Sequence, residues 1–72
     1  MSKRDFQVLA TAMGDMLSLA RWHGGEQART QAYDTVLAPL TSYIGKHYPS
    51  FDLRRFMAAV EAREHSREGE AV

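Results

Sequence analysis

Residues 50–56, Ser-Phe-Asp-Leu-Arg-Arg-Phe, contain the clearest helix start in the chain. Asp52 is a natural N-cap, because its short carboxylate can accept a hydrogen bond from a backbone N–H of the first turn. Phe51 precedes the cap and Phe56 stands at the fourth helical position, which is the spacing of a hydrophobic staple. Apolar residues then recur at helical intervals: Leu53, Phe56, Met57 and Val60. The stretch therefore predicts a helix over 52–64 with one buried stripe.

The chain before this helix predicts two more. The first, over 3–22, starts where the Ser2 hydroxyl can cap an early N–H and Asp5 lies in the positive first turn. Its apolar residues keep a 3.6-residue period: Phe6, Leu9, Met13, Met16, Leu17 and Ala20. Gly24-Gly25 follows, and two glycines both weaken a helix and supply the left-handed backbone that often ends one.

The second helix, over 27–47, contains Pro39. Proline offers no N–H to the carbonyl of Thr35 and its ring crowds that turn, so we expect a kink or a break near Ala38. The apolar stripe keeps its phase across the proline, which favours a kink. Pro49 should end the helix by restricting Tyr48 to extended backbone.

Beyond Arg63 the composition turns polar, with almost no apolar anchor. We therefore expect a single domain over 1–63, followed by a polar, flexible and disordered tail over 64–72. The predicted fold is all-α: a small three-helix bundle with a kinked second helix.

The composition excludes several classes of protein. With no cysteine, the chain has no disulfide, thiol nucleophile or thiolate zinc site. Nine basic and nine acidic side chains cancel, and their signs interleave along each segment, so we expect no basic face and no nucleic-acid partner. The first apolar stretch is too interrupted for a signal peptide, and no run is long enough to cross a membrane. These features predict a cytoplasmic protein.

Catalytic and cofactor motifs are not recognisable. His23, His47 and His65 lack the spacing of metal ligands, and the serines lack a nucleophile elbow. Glu61 and Glu64 share a helix face, but the arginines around them are typical of a solvated surface. We therefore expect no enzyme activity, no metal and no cofactor.

An apolar surplus is the more informative feature. Helices one and two carry more large apolar side chains than three narrow seams can bury, and Trp, Tyr and Met are enriched at interface cores. The predicted interface residues are Leu19, Trp22, Tyr43 and Tyr48. They favour a small protein-interaction module whose partner is another protein or a second copy, as in a homodimer. A domain of marginal stability also needs wide apolar faces for its own core, which would explain the same surplus. A further hypothesis is a self-assembling structural protein.

A helix-turn-helix regulator is the alternative function. Arg54 and Arg55 occupy the first turn of the last helix, where recognition-helix residues reach base edges. Against this reading, Asp52, Glu61 and Glu64 lie on the same helix.

Two short runs, 3–10 (Lys-Arg-Asp-Phe-Gln-Val-Leu-Ala) and 48–60 (Tyr-Pro-Ser-Phe-Asp-Leu-Arg-Arg-Phe-Met-Ala-Ala-Val), resemble the ends of small orphan proteins encoded by actinobacterial phages and mobile elements. Met57 stands where that type usually has Leu, and Pro39 and the tyrosine-rich middle differ from it. The resemblance implies a phage origin and a location in the bacterial host cytoplasm, and it implies no mechanism. On this basis the interaction module would be a phage-encoded modulator of a host protein.

Overall fold

The computed structural model describes residues 2–70, and this part of the chain is helical with no strand. Helix α1 runs over Lys3–Ala32, a π-helical segment over Tyr33–Leu37, α2 over Ala38–His47 and α3 over Leu53–Glu70. The predicted all-α class is confirmed. Within residues 2–70, each helix is too short or too polar to cross a bilayer.

Helix α1 starts as predicted and bends at Gly25. The Ser2 hydroxyl accepts a hydrogen bond from the Asp5 N–H at 3.1 Å. Gly25 has φ 74° and ψ −163°, which are not helical dihedrals. A straight helix of 30 residues would be about 45 Å long, whereas the longest dimension of the molecule is 37 Å. The bend therefore turns residues 26–32 back along the first part of α1, near the predicted boundary at Gly24-Gly25.

The π segment explains how the chain passes Pro39 without breaking. The Ala38 N–H bonds to the carbonyl of Tyr33, five residues back. A wider turn of this kind is a common way for a helix to adapt to a local disturbance. The helix then continues to His47, and Tyr48 adopts φ −127° and ψ 87° before Pro49. The predicted end at residue 47 is confirmed.

The start of α3 agrees with the sequence and its end does not. Asp52 Oδ1 accepts a hydrogen bond from the Arg55 N–H at 3.1 Å, and the Phe51 and Phe56 rings lie 5.2 Å apart. The predicted cap and staple are confirmed. However, α3 continues to Glu70, so the predicted helix end at residue 64 is wrong, and residues 64–70 of the predicted tail are helical. Residues 71 and 72 of that tail lie outside the described residues.

The core forms between α1 and α3, which run in the same direction. The Phe6 ring meets Phe56 at 5.4 Å near the start of both helices, and Asp15 pairs with Arg63 further along both. Five residues form the centre of this core: Ala10, Leu17, Leu37, Phe56 and Val60. Leu53, predicted to be buried, is 51% exposed, because it lies at the first turn of α3, beyond the staple.

Gly14 allows the two helices to approach closely. A Cβ at this position would lie 2.6 Å from Cβ of Arg63 and 2.8 Å from the carbonyl oxygen of Val60. Because one of these atoms belongs to the backbone, a side chain could be accepted only if the helices moved apart.

Candidate interaction surfaces

The four residues predicted to form an interface are all exposed. Trp22 is 69% and Tyr43 62% exposed, and Leu19 and Tyr48 are each exposed by more than two fifths. Three further large apolar side chains are also exposed: Val8, Val36 and Leu53.

The four residues do not form one surface. Leu19 and Trp22 lie just before the bend at Gly25, and we call them the Trp22 face. Tyr48 borders a groove beside Phe6 at the start of α1. Trp22 follows Phe6 by 16 residues, which is about 24 Å along a helix. The bend causes this separation, because the chain after Gly25 runs back towards the start of α1 and places Tyr48 there.

The groove beside Phe6 has a volume of about 630 Å³, within the range of small-ligand pockets. Half-buried Phe6, Phe51 and Ala59 form its floor, and Tyr48 borders it. Exposed polar residues form its rim: Ser2, Lys3, Gln7, Ser50, Asp52 and Arg55. We call this cavity the aromatic groove. It contains residues of both runs that carry the phage resemblance, which the packing of Phe6 on Phe51 and Phe56 brings together.

The same end of the molecule gathers unbalanced positive charge. Lys3 and Arg4 are in the first turn of α1, Arg54 and Arg55 are in the first turn of α3, and Lys46 is in the last turn of α2. We call these five side chains the basic end. Only Asp5 and Asp52 accompany them, so this end carries a net charge of +3, and the rest of the chain, with four basic and seven acidic side chains, carries −3. The expectation that no basic face exists is therefore wrong.

Ion pairing reinforces this separation of charge. The other four basic residues make ion pairs: Arg21, Arg29, Arg63 and Arg67, with Asp15, Glu26 or Glu64 as acceptors. Within residues 2–67, the five side chains of the basic end make no such pair. The N-termini of α1 and α3 both point to this end and add partial positive charge, which the C-terminus of α2 partly offsets.

Glu64 is the centre of a buried ion cluster at the opposite part of the molecule. It is 3% exposed, and both of its carboxylate oxygens accept hydrogen bonds at 3.0 Å from the Arg29 guanidinium. Arg21 approaches one of these oxygens at 3.4 Å. The hydrogen bonds from Arg29 hold the pKa of Glu64 below its ordinary value, although burial opposes this, and they raise the pKa of Arg29. Glu64 thus joins α3 to α1 on both sides of the Gly25 bend.

The prediction that Glu64 lies on a solvated surface is therefore wrong. Glu64 follows Phe56 and Val60 at steps of four, which places it on the buried side of α3. That spacing was the available signal, and the charge of the side chain obscured it. Because Glu64 is bonded to arginines of α1, α3 is held against α1 at this residue.

The other residues predicted to take part in a site are exposed or lie apart from one another. Arg54 and Arg55 lie in the first turn of α3 as predicted, with exposed side chains. The Tyr43 and His47 rings are in contact at a tilt of 43°, with centroids 4.4 Å apart. Across the part of the chain that the structure describes, no three His, Asp or Glu side chains form a group that could hold a metal ion.

Comparison with known proteins yields no relative. The chain matches no protein family, and neither a curated protein nor a solved structure shows significant similarity to it. The resemblance to actinobacterial phage proteins stays a prediction.

Proposed function

We propose that this chain is a small, non-enzymatic protein-interaction module that binds another protein through the Trp22 face. The exposure of Trp22 carries this proposal. An indole 69% exposed keeps a large apolar area in water, and tryptophan is the residue type most enriched among binding hot spots. Leu19 lies one turn before it and widens the contact.

The fold class and the phage resemblance extend this proposal. The Gly25 bend divides α1 into two helical stretches, which, with α3, supports a three-helix bundle in which the π segment forms the kink of the second helix. The resemblance of the two end runs supports a phage-encoded modulator that binds a host protein in the bacterial cytoplasm.

Trp22 is the single tryptophan of the chain, so its fluorescence reports directly on this face. We expect protein captured from an actinobacterial host lysate to shift the emission of Trp22 to shorter wavelength, as the indole leaves water. Trp22→Ala should lower the affinity by about 30-fold, the loss typical of a hot-spot truncation. It should change stability little, because the side chain is exposed.

Val36→Ala is the matched control, because Val36 is also a large exposed apolar residue but lies in the π segment. The control should retain the captured protein. Equal capture by the wild type and the Trp22 variant would contradict a role of this face in binding.

Nucleic-acid binding is the second candidate function, and the five cations of the basic end, which form no ion pair within residues 2–67, favour it. Arg54 and Arg55 would contact the nucleic acid from the first turn of α3, as in a helix-turn-helix protein. If this is the function, affinity for duplex DNA should fall linearly on a log–log plot against salt concentration. An absence of binding at low salt would exclude it.

A further inference from the structure

The Trp22 face is an exposed apolar projection and the aromatic groove is a partly apolar hollow, and the two lie in parts of the molecule that carry opposite net charge. The face presents one protruding indole, and the groove is a hollow of about 630 Å³ with an aromatic floor. Lys3 and Arg55 line the groove within the +3 end, whereas the Trp22 face belongs to the part of the chain with charge −3. Complementary potentials of this kind steer association and select orientation.

The two surfaces cannot meet within one molecule. Trp22 lies about 24 Å along α1 from Phe6, which lines the groove, and the packing of α1 on α3 fixes this separation. Only a second copy can bring a Trp22 face to a groove.

We propose that this protein associates head to tail with itself, the Trp22 face of one copy entering the aromatic groove of the next. The occupant of the groove is the exposed Trp22 indole, supported by Leu19. The inference rests on the proposed role of the Trp22 face in binding and names the second copy as a partner.

A head-to-tail contact is heterologous, so each copy added leaves one face and one groove unoccupied. The average mass should therefore rise steadily with protein concentration, without stopping at the dimer. Because the contact brings together ends of opposite net charge, raising the salt concentration to about 1 M, where charges are screened within about 3 Å, should weaken it.

Sedimentation velocity on the full chain, at low and at high salt, tests the proposal. Lys3→Ala/Arg55→Ala should weaken association by about tenfold or more, and Trp22→Ala should do the same. The control is Gln27→Glu/Gln31→Glu, which changes two exposed positions in the part of α1 that follows the Gly25 bend. Both double variants change the net charge by −2, but the control leaves the groove intact and should associate at least as strongly as the wild type.

Mixing two defective variants distinguishes this contact from a symmetric one. Trp22→Ala retains a groove, and Lys3→Ala/Arg55→Ala retains a Trp22 face, so an equimolar mixture should form a 1:1 complex that does not grow. If the groove variant alone still dimerised, the contact would be a symmetric one between two Trp22 faces, and the head-to-tail proposal would be overturned.

A wild-type chain that stays monomeric at high concentration would also overturn it. Such a monomer could still capture a host protein through Trp22, so the proposed function would survive that result. Circular dichroism of each variant should show unchanged helix content, since the substituted side chains are exposed.

Discussion

Replacing Glu64 with glutamine tests the buried ion cluster most directly. The substitution keeps the size of the side chain but removes its charge and turns one acceptor oxygen into an N–H donor. That donor would face the Arg29 guanidinium, which now bonds both oxygens at 3.0 Å. At least one charge-assisted hydrogen bond is therefore lost, together with the attraction of Arg21.

The magnitude follows from the burial of the partners. Removing one member of a buried pair costs about 3–5 kcal/mol, and a hydrogen bond to a charged group contributes about 1.5–3 kcal/mol. Arg29 and Arg21 keep 23% and 32% of their side-chain surface in water, so their charges stay partly hydrated after the change. We expect a loss of about 2–3 kcal/mol, from a total on the order of 4–11 kcal/mol for a chain of this length.

Urea unfolding followed by far-ultraviolet circular dichroism measures this loss. The melting temperature should fall by roughly 10–20 °C. Glu61→Gln is the matched control, because it is the same substitution one turn earlier, on the exposed side of α3. It should change stability by less than about 0.5 kcal/mol. If the two variants were equally stable, the cluster would not be what joins α3 to α1, and our reasoning would be refuted.

Acid pH and substitutions at two helix positions test the remaining contacts. The pKa of Glu64 is held below its ordinary 4.5, so the stability that the ionised carboxylate contributes is present above that pH and is lost as the pH falls through the lower, folded pKa. The difference in stability between the wild type and Glu64→Gln should therefore shrink below about pH 4.5. A constant difference between the acid unfolding curves of the two proteins would contradict this. Gly14→Ala should lower the free energy of unfolding by about 1–3 kcal/mol through overpacking. Gly45 faces open space in α2, so Gly45→Ala should raise the free energy of unfolding by up to about 1 kcal/mol. Melting temperatures that changed in the same direction in both variants would argue against a close approach at Gly14. In urea unfolding, Asp52→Ala should lower the free energy of unfolding by about 1 kcal/mol, and Asp52→Asn by much less, since asparagine also caps a helix. Equal losses in the two variants would show that the cap is not the cause of the destabilisation.

The features predicted correctly from the sequence are those that depend on residues a few positions apart. The cap at Asp52, the staple of Phe51 on Phe56 and the end of α2 before Pro49 each involve at most one helical turn. The disturbance around Pro39 is also local, and a π turn with no break accommodates the missing N–H. Propensity and hydrogen-bond geometry are enough for such features.

The errors concern residues that the fold brings together from distant parts of the chain. Glu64 meets Arg29 across 35 positions, and composition alone treats both as surface charges. The basic end arises because α1 and α3 are parallel, so that Arg4 and Arg54 reach the same end of the molecule. Tyr48 is carried away from Trp22 by the bend at Gly25. Periodicity predicts which side of a helix is apolar, but it does not predict which helix ends will be neighbours.

The parallel packing of α1 on α3 has a consequence for folding during synthesis. Most core contacts join residues near the start of the chain to residues 56–64, so the core forms only when a long loop closes, late in synthesis. In bundles whose neighbouring helices pack first, the core contacts form earlier. A nascent chain released only as far as residue 50 presents Leu17 and Ala10 without the helix that covers them. Such a chain exposes apolar surface of the kind that chaperones bind. Stable structure is therefore expected only after α3 has left the ribosome.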